Sequence, residues 1–328
     1  LKAFHHQLLT VNCPQGTLKG INCKLKKGGG FVEVRVGIKK HIKNMSVTLM
    51  FILPALIPLC IFWIWPMIKA IFMSFTDWDY MSSNYNMVGT QNYRELFLNN
   101  KFYEALKNTF VFTVGTLIPT ITGGLALAIL LKKKIRGSAF YKAVIFSPWI
   151  TPTVAISIVW SWIFEPSYGL ANYMLQLFHM PKSQWLQSSN TAMLSVIIVT
   201  VWKGIGWAMV FYLTALEKVP KHLYEAAAID GANSWSKFIS VTLPLISPTT
   251  FFLSIITMIN SLQAYDQIQV LTQGGPAGST RTLLYLYYQS AFENFNIGQA
   301  TAMATVILLS IGILSGIQFI ASKKWVHY

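Results

Sequence analysis

Charge is what this chain has least of. Only 11% of its 328 residues are Asp, Glu, Lys or Arg, and 53% are hydrophobic. Soluble domains carry about 25% charged residues. Apolar runs of about 20 residues, the length that crosses a bilayer as helix, recur along the chain. A large water-soluble core is therefore excluded, and the chain reads as a polytopic membrane protein. Cysteine is also scarce: Cys13, Cys23 and Cys60. Cys60 falls inside the first apolar run, so there is no disulfide framework. Cys13 and Cys23 have no second Cys or His pair at metal-ligand spacing, and no metal is expected. No nucleophile–base pairing is suggested by the six scattered His, so no catalytic residues are assigned. A phosphate-cradling loop closed by Lys and Ser/Thr is missing too. Gly274-Gly275-Pro276-Ala277-Gly278-Ser279 has the glycines without the lysine and reads as a turn; Gly28–Gly30 fails in the same way. No cofactor is expected, and ATP hydrolysis by this chain is not. No repeat of 20–50 residues is visible.

What charge there is has one dominant sign, +15 overall. Its distribution argues against nucleic acid, since no basic stripe with interleaved aromatics occurs. Nine Lys/Arg lie in residues 1–44 and five more in Lys132, Lys133, Lys134, Arg136 and Lys142. Basic clusters beside apolar spans read as cytoplasmic anchors. Six spans are predicted, at about 47–72, 109–131, 143–164, 192–216, 249–271 and 297–321. One set of loops, with the N-terminal tail and Lys323-Lys324, carries nineteen Lys/Arg; loops 73–108, 165–191 and 272–296 carry five. The predicted topology is multi-pass in the plasma membrane with both termini cytoplasmic. The fold class is all-α, a transmembrane helix bundle.

Three regions are distinguished. Residues 1–45 are basic and show little periodic pattern. They read either as a disordered cytoplasmic tail or as sequence upstream of a natural start within Val32–Met45; the chain opens on Leu, which suits a fragment or an unusual start. Residues 46–322 form the membrane domain. Interior prolines, among them Pro54, Pro58, Pro119, Pro148 and Pro152, predict kinked helices around a path. Trp63, Trp65, Trp78, Trp149, Trp160, Trp162 and Trp202 lie near predicted span ends, as an interfacial belt does. Gly312-Ile-Leu-Ser-Gly316 in the last span has the small-xxx-small spacing of close helix approach.

Residues 217–248 are the third region, a cytoplasmic loop. Pro220 suits a first helical position. Lys221–Ile229 is a good helix former, and Gly231 can take positive φ and stop it. Asn233 or Ser234 can cap a second short helix. Ala226, Ala227 and Ala228 are small enough to sit in a partner's cleft. Glu225 and Asp230 offer charge to that partner, and Leu223 and Tyr224 offer anchors. The competing reading is an amphipathic helix resting on lipid, although such helices favour Lys/Arg on the polar face.

These residues resemble a family. Glu225-Ala226-Ala227, then Gly231, Val241 and Leu243-Pro244, match in spacing the EAA loop of binding-protein-dependent ABC importer permeases, with Val241 where Ile is usual. Tyr265-Asp266, Leu271–Pro276 and Thr282-Leu283 resemble the segment that follows this loop in the carbohydrate-uptake branch. Leu53-Pro54-Ala55, Ser74–Asp77, Val88-Gly89 and Asn92-Tyr93 resemble its front. The likeness runs from about 46 to 322. It lacks the extra spans and large outer domain of the maltose-type MalF subunit and is closer to shorter, six-span MalF-like subunits. The resemblance implies a permease for a sugar or polyol-phosphate that pairs with a second permease. It implies docking on a cytoplasmic ABC ATPase dimer through Glu225, Ala226, Ala227, Asp230, Gly231, Leu243 and Pro244, and delivery of solute by an extracytoplasmic binding protein. A polytopic membrane enzyme or channel with an interfacial loop is the alternative.

Polar groups inside spans default to functional candidates. Asn260, Gln263 and Gln267 recur at three and four residues, which places them on one helical face. With Tyr265 and Asp266 they are the predicted solute path. Lys203, in the fourth span, either snorkels or pairs with Asp266, and its neighbours Trp202, Gly204, Gly206 and Trp207 predict a kinked, cavity-lining turn.

Overall fold

The structure, a computed structural model, describes residues 11–12, 21–27, 30–36, 50–79, 81–82, 84–132 and 136–326. The chain divides into two compact units, residues 1–69 and 70–328. In the first, β1 (Val11–Asn12), β2 (Ile21–Lys27) and β3 (Gly30–Val36) form an antiparallel sheet in that order. Ile21 lies opposite Val36, Cys23 opposite Val34 and Leu25 opposite Val32. The signal was present in the sequence: apolar residues alternate along both segments with the period-2 spacing of a strand. Helix α1 (Met50–Met73) begins in this unit and widens to a π-turn at Cys60–Ile64.

The second unit is helical apart from one isolated bridge, between Thr76 and Met87. Its elements are α2 (Gln91–Leu98), α3 (Asn100–Lys132), α4 (Ser138–Ile150), α5 (Thr153–Ile163), α6 (Leu170–Leu177) and α7 (Ala192–Lys218). They continue with α8 (Lys221–Ile229), α9 (Ser234–Leu245), α10 (Ser247–Leu262), α11 (Asp266–Leu271), α12 (Leu283–Tyr288) and α13 (Ile297–Ser322). Among the described residues, four helices, α1, α3, α7 and α13, are each long and apolar enough to cross a membrane. The bent pairs α4–α5 and α9–α10 bring the number to six if each pair is one span. The first pair turns by 102° at Thr151-Pro152, where proline denies its own N–H and disfavours helix at the residue before it. The second turns by 64° at Ile246.

Small residues set the packing. A Cβ added at Gly124 of α3 would lie 2.6 Å from that of Ala208 on α7, and one at Gly123 would strike Ile205. Close backbone approach of this kind is how membrane helices gain contact without a hydrophobic drive between them. The core beside it joins Ala128, Met209, Tyr212, Leu216, Ile246 and Leu253, from α3, α7 and α10 with the Ile246 bend. Thr116 on α3 bonds Ser261 on α10 at 2.7 Å. Gly206 of α7 faces the Ile145 carbonyl of α4 so closely that a side chain overlaps backbone. Gly206→Ala is therefore expected to lose about 1–3 kcal/mol, the usual cost of overpacking. Thermal unfolding in detergent measures it; an unchanged midpoint means that α4 does not pack on α7. The Gly312–Gly316 face has open space, with nothing within 4 Å of an added Cβ, so its small-residue pattern serves no contact among the described residues.

Two polar locks hold the connections at the ends of the helices. Buried Asn92 donates to the carbonyls of Ser74 and Thr76 at 2.9 and 2.8 Å. Asn108 donates to those of Gly278 and Arg281 at 2.9 and 3.0 Å. In the exposed turn after α1, the backbone and side-chain N–H groups of Asn86 hold the Asp77 carboxyl below its ordinary range.

Candidate functional site

Helix α8 follows α7 directly. Pro220 stands one residue earlier than expected, as its N-cap. The C-terminus closes by the six-to-one and five-to-two bonds of a Schellman turn: Ala232 N–H donates to Ala227 at 2.9 Å and Gly231 N–H to Ala228 at 3.1 Å. Gly231 takes φ +75°, the conformation for which glycine was expected here. Asn233, not Ser234, caps the next helix, accepting from the Ser236 N–H at 2.8 Å. That helix is longer than a short cap-to-turn element. It runs through a π-turn, Phe238–Thr242, in which Leu243 N–H bonds Phe238 C=O. Pro244 follows at once, and its ring would crowd the carbonyl four residues back in a regular helix.

Glu225, Ala226, Asp230, Gly231 and Leu243 are exposed, and Ala227 and Pro244 are partly covered. Ile229 is 87% and Trp235 68% exposed. Tyr224 is the exception to the expected partner-facing set. It turns inward onto the core of α3 and α7, with its hydroxyl 2.9 Å from Thr242 Oγ1 and the Lys132 ammonium 5.2 Å from its ring centroid. Residue spacing alone could not separate the two faces of so short a helix.

The second feature is a cavity of about 420 Å³ between α3, α4, α7 and α10. It takes in all five predicted path residues, Asn260, Gln263, Tyr265, Asp266 and Gln267, together with Lys203. The route differs from the expected one. The fifth span is not one helix to Leu271: α10 ends at Leu262, Gln263 is its C-cap, and α11 starts at Asp266. The break, not a helical stripe, gathers these side chains. Among the described residues, no side-chain hydrogen bond engages Asn260, Gln263, Asp266 or Gln267. Tyr265 also packs on Tyr288 with centroids 4.8 Å apart.

Sequence reasoning missed much of the lining. Thr116, Thr120, Thr200 and Thr257 add hydroxyls, and Trp149 stacks at 5.2 Å on Trp207, a residue the sequence did place in a cavity-lining turn with Gly204. Trp149, assigned to an interfacial belt, is thus a cavity residue. Lys203 lies 5.7 Å from the Trp149 ring centroid, and Asp266 lines the same cavity. Aromatic faces flanked by hydroxyl and amide groups suit a polyhydroxylated solute, whose C–H faces stack while its oxygens hydrogen-bond.

A multi-pass bundle with a cavity between its helices and a small-residue helix exposed beside them has the architecture of a membrane transport subunit. Residues 120–326 match the family described as binding-protein-dependent transport system inner membrane component. The chain belongs to that family and is a membrane-embedded permease of an ABC transport system. It is 33% identical over 280 residues to the probable ABC transporter permease protein YurN of Bacillus subtilis, covering 84% of this chain and 96% of the relative. It is 34% identical over 276 residues to the multiple sugar-binding transport system permease protein MsmF of Streptococcus mutans, covering 84% and 94%. A bacterial alginate ABC transporter crystallised with an alginate-bound periplasmic protein includes a chain of the same fold. Its TM-score is 0.75 at 22% identity, covering 88% of this chain and 97% of that one. These relatives are transporter permeases.

Proposed function

We propose that this permease imports a sugar or related polyol-phosphate, forming its path with a second permease subunit. Relatives named for multiple sugars and for sn-glycerol-3-phosphate support that solute class, as do the cavity's aromatic and hydroxyl-rich walls. ATP is hydrolysed on a separate cytoplasmic ABC ATPase dimer, and an extracytoplasmic binding protein delivers the solute. Both termini and the 217–248 loop face the cytoplasm. The observation that carries the reading is α8 itself: a Schellman-closed helix that leaves Glu225, Ala226, Asp230 and Gly231 exposed, with Leu243-Pro244 at the start of the next span. Asn260, Gln263, Tyr265, Asp266 and Gln267 line the solute path.

The test is reconstitution of the full transporter in proteoliposomes with a panel of sugars and polyol-phosphates. ATP-dependent uptake that requires this chain is expected. Uptake without any ATPase subunit would make the chain a channel and end the proposal. Glu225→Lys reverses the charge offered at the docking face, and like-charge contact across an interface is costly. It is expected to lower copurified ATPase about tenfold; wild-type recovery would remove Glu225 from the interface.

A further inference from the structure

The inward turn of Tyr224 leaves the exposed helix tied to the bundle at one aromatic side chain. Its hydroxyl meets Thr242 Oγ1 at 2.9 Å. Thr242 is the last residue of the π-turn Phe238–Thr242 and is buried. The ring of Tyr224 receives the Lys132 ammonium, from the end of α3, at 5.2 Å. Tyr224 also packs against the buried cluster that holds Leu131, Leu216 and Ile246. One side chain therefore meets α3 at Lys132, α9 at Thr242 and the core that joins α3, α7 and α10.

The geometry beyond Thr242 makes this contact mechanical. A π-turn spaces its backbone bonds more widely than an α-helix, and such turns occur frequently at functional sites. Four residues on, the chain bends by 64° at Ile246. Helix α10 then runs sixteen residues to Leu262, beside Asn260 and Gln263 of the cavity. Sixteen residues of α-helix span roughly 24 Å, so a 10° rotation at the bend moves the far end by roughly 4 Å. That displacement is enough to open or close a gap of one sugar hydroxyl.

We propose that Tyr224 is the positioning residue that passes movement of α8 to the Phe238–Thr242 hinge, and through α10 to the cavity. The proposal rests on the reading of α8 as the ATPase-facing helix. Tyr224 itself faces away from that partner. Its loss should leave assembly intact and uncouple hydrolysis from transport.

The experiment uses the assembled transporter in proteoliposomes and reads three quantities: ATPase retained on the purified permease, ATP hydrolysed, and solute taken up per ATP. Tyr224→Leu removes ring and hydroxyl. It is expected to retain ATPase and to lower uptake per ATP at least tenfold. Tyr224→Phe and Thr242→Val each remove only the hydroxyl contact and are expected to lower it two- to threefold. Their double variant is expected to be no worse than either single, as for two groups in one interaction. Unchanged uptake per ATP in Tyr224→Leu overturns the proposal. So does additivity of the two hydroxyl variants, or uptake that falls only in step with folded permease. Failure of the wild type to retain any ATPase is a different result; it removes the reading of α8, and this proposal with it.

Discussion

Gly231→Pro is expected to reduce ATP-driven uptake at least a hundredfold while leaving the chain inserted and folded. Gly231 sits at φ +75° and gives its N–H to Ala228. Proline fixes φ near −65° and has no N–H, so the Schellman turn cannot form. Gly231→Ala keeps the N–H and pays about 1–2 kcal/mol for the left-handed backbone, so an intermediate loss is expected. Nothing lies within 4 Å of an added Cβ here, and neither change disturbs the bundle by contact. The damage is to the angle at which α8 presents Glu225, Ala226 and Asp230. Uptake, retained ATPase and thermal midpoint, measured together, separate docking from folding. Wild-type uptake by Gly231→Pro would mean that α8 merely rests on lipid.

The loop was legible because its motif is written in local backbone chemistry. Pro220, Gly231 and Asn233 each act within a turn of themselves, and the structure uses all three there. The spans were legible as apolar length, but not their breaks. At Thr151-Pro152 a kink was readable; its size, 102°, depends on what packs around it. The end of α10 was missed because the apolar and polar pattern runs on past Leu262 without a Gly or Pro to interrupt it. The path residues were chosen on a helical periodicity that stops at Gln263, yet the break directs them into one cavity. Trp149 and the threonines of α3 and α7 had no signal of their own, since aromatic and hydroxyl residues are common in membrane helices. Only the packing of α4 against α7 makes them a wall.

Charge reversal in that cavity is the second change with a large expected effect. Lys203 and Asp266 both line it, and opposite charges facing one cavity attract. No ion pair within hydrogen-bonding reach joins them among the described residues, and so a solute can bridge donor and acceptor. Lys203→Glu turns that attraction into repulsion. Like charges facing each other inside a site cost several kcal/mol, so a change of about a hundredfold is expected. Uptake by Lys203→Glu, and by Asp266→Lys, is expected to fall by about that factor in transporters that still retain ATPase. The double reversal, Lys203→Glu with Asp266→Lys, restores the opposite charges and is expected to recover at least tenfold over either single. Equal loss in the double and the singles would show that the two side chains act independently. Wild-type uptake in both singles would place the pair outside the solute path, and with it the break between α10 and α11 as the point where solute is held.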